Sequence, residues 1–153
     1  MNPAQLANRI REVYLNGKWI ANTNIKEQID NLNLPQATQT VNGLNTVALL
    51  VFHLNYYLEG LIVALTENKL EIKDKYSFLM NELNNEDDWQ VLKNKLLANA
   101  ERLASIIENF DNNQLSDPFV DEKYGTIWQN IIGVVEHSYY HFGQITIIKK
   151  MLV

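Results

Sequence analysis

The chain has 153 residues, no cysteine and a formal charge of −5 at pH 7. A chain of this length can bury a core of ordinary size, so we expect residues 1–153 to form one domain. The lack of cysteine excludes disulfides, thiolate metal sites and cysteine nucleophiles. The 13 lysines and arginines are scattered, which argues against a nucleic-acid partner, because such a surface needs clustered positive charge.

The first residues, MNPAQLANRIREVY, lack the long apolar core of a secretory signal. No apolar run in the sequence approaches the roughly 18 residues that a membrane span needs. We therefore expect a cytoplasmic protein that has no membrane partner.

The first predicted helix spans about residues 3–16. Asn2 can cap it, Pro3 suits its first position, and Gly17 suits the residue after its end. The apolar face of this helix consists of Leu6, Ile10, Val13 and Tyr14.

A short extra helix is predicted next. Thr23 is a candidate cap, and the helix should end before Pro35, because a residue that precedes proline disfavours the helical conformation. The second long helix spans about residues 43–66 and carries an apolar stripe at helical spacing. This stripe consists of Val47, Leu50, Val51, Leu54, Leu58, Leu61, Ile62 and Leu65.

Two further long helices are predicted towards the C-terminus. The third begins near Asn85, which can cap an acidic first turn, and continues to about Phe110. The fourth runs from about Thr126 almost to the C-terminus, where Lys149 and Lys150 complement the helix dipole. Their apolar faces consist of Trp89, Leu92, Leu96, Leu103 and Ile107 in the third helix, and of Ile127, Ile131, Val134, Ser138, Phe142 and Ile145 in the fourth.

These four amphipathic helices can bury their apolar faces together only as a bundle. The connections 17–42, 67–84 and 111–125 are longer than simple helix hairpins require. We therefore predict an all-α four-helix bundle in which at least one long connection crosses over the bundle.

All three histidines of the chain lie at the margins of these apolar faces. His137 and His141 are four residues apart, so they are displaced by only about 40° around the helix axis and face the same way. His53 lies in the second long helix. If the two helices are neighbours, three imidazoles can bind one divalent ion and leave positions open, as in catalytic sites. The alternatives are a core histidine bonded to a carbonyl or water and a polar pair on a helix surface.

Residues that share the histidine edge by helical spacing are candidates for a substrate pocket. Tyr57 and Gln144 can orient a ligand or a water, although Tyr57 can equally be a buried aromatic residue with a solvated hydroxyl. Gly60 and Gly133 can leave room beside the ion or for close helix approach. Asn130 completes this set.

The sequence provides no evident general base or nucleotide-binding motif. It lacks the zincin motif, the paired E-x-x-H of di-iron bundles and any phosphate-binding loop. Proton transfer would then fall to hydroxide on the ion, to a tyrosine or to an acid in a loop. The loop candidates are Asp117, Asp121 and Glu122.

Three stretches, Trp19, HLNYY at 53–57 and HSYYHFGQI at 137–145, resemble the DinB/YfiT-like superfamily of metal-dependent enzymes. The order and separation of the histidines are similar to that family over nearly the whole chain. The resemblance implies a helical bundle whose metal ligands are His53, His137 and His141. Imidazole donors suit zinc or nickel first, with iron and manganese as alternatives.

An ion held by neutral imidazoles keeps its full positive charge and is a strong Lewis acid. Proteins of the family that this chain resembles include metal-dependent hydrolases and thiol transferases. We therefore predict a metal-dependent enzyme that activates water or a low-molecular-weight thiol and acts on a small-molecule substrate. The alternative is a non-catalytic helical binding or stress-response module, which could form a homodimer through exposed aromatic residues such as Trp89, Tyr139 and Tyr140.

Overall fold

The computed structural model describes residues 1–152, which form six α-helices joined by shorter helical turns. These helices are α1 (Pro3–Arg11), α2 (Ile25–Ile29), α3 (Leu34–Thr38), α4 (Val47–Glu67), α5 (Glu86–Glu108) and α6 (Ile127–Met151). Within this range there is no β-strand, and a single isolated antiparallel bridge pairs Pro118 with Thr126. The described part of the chain is all-helical, as predicted.

Side-chain caps define where the long helices begin. Asn2, Thr46, Asn85 and Thr126 each accept a hydrogen bond from the backbone N–H three residues further on. The caps predicted at Asn2 and Asn85 are therefore confirmed. The second long helix begins at Val47, later than predicted, because Gly43 lies in a turn with φ of +73° and Thr46 supplies the cap.

The predicted helix over residues 3–16 is confirmed, although its last turn is a π-helix, Glu12–Asn16. Gly17 follows in an extended conformation, and a Cβ at this position would come within 2.5 Å of the Glu12 Cα. Tyr14 lies in the π-turn and is fully buried. Its hydroxyl lies 2.7 Å from the hydroxyl of Ser138, which fastens this turn to α6 between the two histidines of that helix.

The segment between α1 and α4 contains two short helices where one was predicted. Asn24 caps α2 in place of Thr23, whose hydroxyl instead donates to Glu27. Asn33 caps α3, and Pro35 lies in the first turn of α3. Proline is tolerated there because it needs no N–H at that position. The predicted short helix is confirmed as α2, which ends at Ile29, but the reason given for its end was wrong, because Pro35 helps to start α3.

The core joins the four long helices. α5 packs most extensively against α1 and α4, and α4 also packs against α6. Trp89 of α5 is fully buried, and its indole N–H donates to the carbonyl oxygen of Leu32 at 2.7 Å. The expectation that Trp89 is an exposed aromatic residue of a dimer surface is therefore wrong. Tyr139 is half-buried, and of these three aromatic residues only Tyr140 is exposed.

Helix α4 is long and apolar enough to cross a membrane by length and composition alone, unlike any other helix of residues 1–152. This corrects the expectation that no apolar run approaches that length. The most apolar part of α4 is largely buried inside the protein, where this helix packs against α5 and α6. This burial is consistent with the core helix of a soluble protein.

Candidate metal centre

Three histidines from α4 and α6 converge on one point between these helices. The Nε2 atom of His137 lies 3.1 Å from Nε2 of His53 and 2.9 Å from Nε2 of His141. The ligand atoms of all three lie within 4.8 Å of one another. Two nitrogens that bind one ion at about 2.1 Å are separated by about 3.0–3.4 Å for angles between 90° and 109°. The cluster could therefore hold a metal ion.

The outer nitrogens of two histidines determine which nitrogen faces the centre. Nδ1 of His53 donates to the carbonyl oxygen of Ser77 at 3.2 Å. Nδ1 of His141 lies 2.7 Å from Oε1 of Gln144 and donates to it. A neutral imidazole that is protonated at Nδ1 carries its lone pair on Nε2. His53 and His141 therefore both direct a lone pair towards the shared point.

His137 cannot satisfy both of these neighbours by hydrogen bonding. Its Nε2 faces two acceptor nitrogens, yet a neutral ring carries at most one proton on that atom. At least one of the two short contacts then places one lone pair against another. A cation shared by the three Nε2 atoms removes this conflict, so the donor set fits a divalent ion.

Burial keeps the three rings in the neutral form. His53 and His141 are only 4% and 6% exposed, and His137 is half-buried. Desolvation lowers the pKa of His53 and of His141. For His137, desolvation and the two neighbouring histidines together lower the pKa to about 4. Because metals bind neutral imidazole, all three side chains are ready to bind an ion at pH 7.

The segment between α4 and α5 covers His53. The ring of Phe78 stacks on His53, with centroids 3.9 Å apart and an angle of 11° between the planes. The Tyr56 hydroxyl accepts from the N–H of Lys73 at 2.8 Å and donates to its carbonyl oxygen at 3.0 Å. These two bonds fasten the segment to α4 and so help to hold the carbonyl of Ser77 in place.

Two of the predicted pocket residues contact the histidines. Gln144 does so through its bond to His141. The ring of Tyr57 packs edge-on against His53 and His137, with centroids 5.0 and 4.9 Å away. The Tyr57 hydroxyl donates to Oδ1 of Asp74 at 2.8 Å, so this tyrosine links a carboxylate to the cluster.

The other predicted pocket residues have different surroundings. Gly60 is buried under Ile72, whose side chain would lie 2.6 Å from a Cβ at position 60, so the loop fills the room expected there. Gly133 is exposed, and nothing lies within 4 Å of a Cβ built on it. The amide of Asn130 donates to the carbonyl oxygens of Tyr124 and Thr126 at 2.9 and 2.8 Å.

Three residues near the cluster were missed in the sequence: Asp74, Ser77 and Phe78. They lie outside the long helices, so no helical periodicity marks them, and their approach to α4 depends on how residues 68–85 fold back. The only feature of the sequence that pointed to this approach was the pair of tyrosines that follows His53 in α4. Of the loop acids predicted as proton acceptors, Asp121 forms an ion pair with Lys123 at 3.0 Å, and Asp117 and Glu122 are exposed.

Comparison of the chain with models of protein families, with curated proteins and with solved structures finds no match. The candidate metal site therefore rests on the geometry of the three histidines and their partners.

Proposed function

We propose that the protein is a metal-dependent enzyme in which His53, His137 and His141 bind one divalent ion. The observation that carries this proposal is the convergence of three neutral Nε2 atoms, two of which are oriented from behind by Ser77 and Gln144. When bound, the ion supplies a Lewis acid that activates water for hydrolysis or a low-molecular-weight thiol for transfer. The substrate is a small molecule.

We also propose that α1, α4, α5 and α6 form a four-helix bundle of the DinB/YfiT type, in a single domain. The packing of α5 against α1 and α4, and of α4 against α6, supports this arrangement. In this arrangement α1 does not pack principally against α4, and α5 does not pack principally against α6. The connections α1–α4 and α5–α6 therefore both cross over the bundle. The placement of a histidine in the second long helix opposite the H-x3-H pair of the last helix also agrees with that type.

Zinc and nickel are the proposed ions, with iron and manganese as the alternatives. The reason is the donor set, since imidazole suits zinc, nickel and iron whereas manganese favours oxygen ligands. Within residues 1–152, the three histidines form the only group of at least three His, Cys, Asp or Glu side chains whose ligand atoms lie close enough together to hold one metal ion.

Metal analysis of protein purified without a histidine tag tests the proposal. We expect one divalent ion per chain, either retained or titrated into chelator-treated protein, and sharply weaker binding in His141→Ala. The loaded protein is then assayed with ester, amide and thiol-conjugation substrates, and turnover that needs an added thiol identifies a transferase. If no stoichiometric ion binds, the proposal is overturned and a non-catalytic binding or stress-response module remains.

A further inference from the structure

A cavity of about 390 Å³ lies beside the histidine cluster, between α4, α6 and the connections that follow α4 and α5. This volume is at the lower end of the range for ligand pockets, so the cavity suits a small molecule and not a peptide. Most of its wall is apolar. The apolar side chains are Leu61, Leu70, Ile72, Phe119 and Val134.

Tyr57 forms the wall that this cavity shares with the candidate metal centre. Its ring lines the cavity and also packs against His53 and His137. Val134 lines the same cavity from α6, one turn before His137. The cavity is therefore adjacent to the histidine cluster, with the ring of Tyr57 between them.

The rest of the wall is polar and consists of Tyr57, Lys73, Asp74, Tyr124 and Asn130. Asp74 is the only carboxylate among these lining residues. Asp74 lines the cavity, and its Oδ1 accepts the hydrogen bond of the Tyr57 hydroxyl at 2.8 Å. Its Oδ2 has no hydrogen-bond or ion-pair partner among residues 1–152, although Lys73 and Lys75 are its neighbours in the chain. Tyr57 thus orients a carboxylate that keeps one oxygen free to accept a hydrogen bond.

We infer that this cavity binds a small, largely apolar molecule that carries one hydrogen-bond-donating group, a hydroxyl or an amine, and that Oδ2 of Asp74 accepts from this group. Hydrogen bonds to an ionised carboxylate are about twice as strong as those between neutral groups. A carboxylate head cannot donate to Oδ2 of Asp74 and would be repelled by it, so discrimination against a carboxylate distinguishes recognition by Asp74 from recognition by Lys73 on the same wall. The inference goes beyond the proposed function and does not depend on it, because Tyr57 lies between the cavity and the histidines.

Three probes of similar shape test the head-group preference: benzyl alcohol, benzylamine and benzoate. Their binding is measured by calorimetry and ligand-observed NMR with metal-free and with zinc-loaded protein. We expect the alcohol, the amine or both to bind roughly tenfold or more tightly than benzoate. Either preference supports the inference and tells which donor the site favours. Benzoate binding as tightly as both other probes would overturn it.

Two substitutions locate the binding. Asp74→Asn replaces the free acceptor with an amide at an exposed position, so it should weaken the alcohol and the amine roughly tenfold and remove the discrimination against benzoate. Val134→Phe fills the cavity and should abolish the binding of all three probes. Val91→Phe is its matched control, since Val91 lines a separate groove of about 430 Å³ between α4 and α5, and it should bind the probes normally.

Zinc titration of the same variants separates this inference from the proposed function. Unchanged zinc binding by Val134→Phe shows that the histidine cluster is intact and that any loss of probe binding is local. Should that variant fail to fold, Asp74→Asn still tests the inference. Probe binding without any zinc site would overturn the proposed function alone. Zinc binding without probe binding, or normal probe binding by Val134→Phe, would overturn the cavity inference alone.

Discussion

Single residues behind the ligands decide whether the three rings can bind one ion. The carbonyl of Ser77 and the amide oxygen of Gln144 each take the Nδ1 proton of a histidine and leave Nε2 free. The role of Gln144 was predictable, because it lies three residues after His141 on the same helix. The role of Ser77 was not, because a backbone carbonyl has no sequence signature.

Gln144→Leu should weaken zinc binding about 10- to 100-fold, the usual range for loss of a group that orients a metal ligand. The leucine keeps the size of the side chain but removes the acceptor that sets the His141 tautomer. A competition titration against a chelator dye measures the change. Gln90→Leu, on the surface of α5, is the control and should bind zinc normally. Equal affinities of the two variants would show that Gln144 does not orient His141.

His137 makes the metal-free protein sensitive to mild acid. Its pKa is about 4 in the folded protein and near 6.5 in an unfolded chain, so between these values the unfolded state binds more protons. Stability from this residue is fully present above about pH 6.5 and is lost as the pH falls towards 4. The lowered pKa values of His53 and His141 act in the same direction.

With a chelator present, the free energy of unfolding should therefore fall by about 1 kcal/mol between pH 7 and pH 5 through His137, allowing for its partial exposure. Urea denaturation at several pH values measures this slope. The His137→Gln variant does not titrate there, so its slope should be smaller than that of the wild type. Identical slopes would show that the folded environment of His137 does not disfavour its charged form.

At the level of the helices, two glycines that looked alike in the sequence have opposite surroundings. Gly60 in α4 is covered by Ile72, whereas Gly133 in α6 faces open space. Both interrupt a long helix, where glycine costs roughly 1 kcal/mol relative to alanine. The difference between them arises from the connection after α4, which packs on one helix and leaves the other free.

Gly133→Ala should stabilise the protein by about 0.5–1 kcal/mol and leave zinc affinity unchanged. Gly60→Ala should destabilise it, because the new methyl group meets the side chain of Ile72 and displaces the segment that carries Asp74 and Ser77. Thermal and urea unfolding compare the two variants under the same conditions. A Gly60→Ala protein as stable as Gly133→Ala would mean that Ile72 moves aside at little cost.

For the molecule as a whole, the proposed ion would join α4 to α6. His53 lies on α4, and His137 and His141 lie on α6, so an unfolded chain cannot present the three together. A ligand that binds only the folded state stabilises it by about 2.7 kcal/mol at 100 times its dissociation constant. The ion should therefore act as a cross-link between two core helices.

Zinc at about 100 times its dissociation constant should raise the melting temperature of the chelator-treated protein by roughly 5–10 °C. Calorimetry measures this rise. His53→Gln removes the α4 ligand and should lose most of this rise, because the ion then binds to α6 alone. The stability of this variant without zinc provides its baseline. An equal rise in both proteins would place the bound zinc somewhere other than between α4 and α6.

The sequence alone determined the long helices and indicated the three histidines as candidate metal ligands. Apolar residues recur every three to four positions along a helix that buries one face. The helices α4, α5 and α6 and their apolar faces could therefore be predicted from each segment by itself. The i, i+4 pair of His137 and His141 needs nothing beyond the helix that carries it. Short segments were read less well, as α3 and its Pro35 show, because a few residues carry no periodic signal.

Only the tertiary structure decided which distant groups meet. The approach of His53 to the pair on α6 depends on which helices become neighbours, and the positions of Asp74, Ser77 and Phe78 depend on how one connection folds over α4. The tertiary structure also decided that Trp89 is buried with its indole N–H on the carbonyl of Leu32, and that Ile72 fills the space above Gly60. These outcomes are set by the packing of the whole core, in which each contact competes with many others. Local periodicity cannot encode such contacts, because it records only which face of an element is buried and not against which partner.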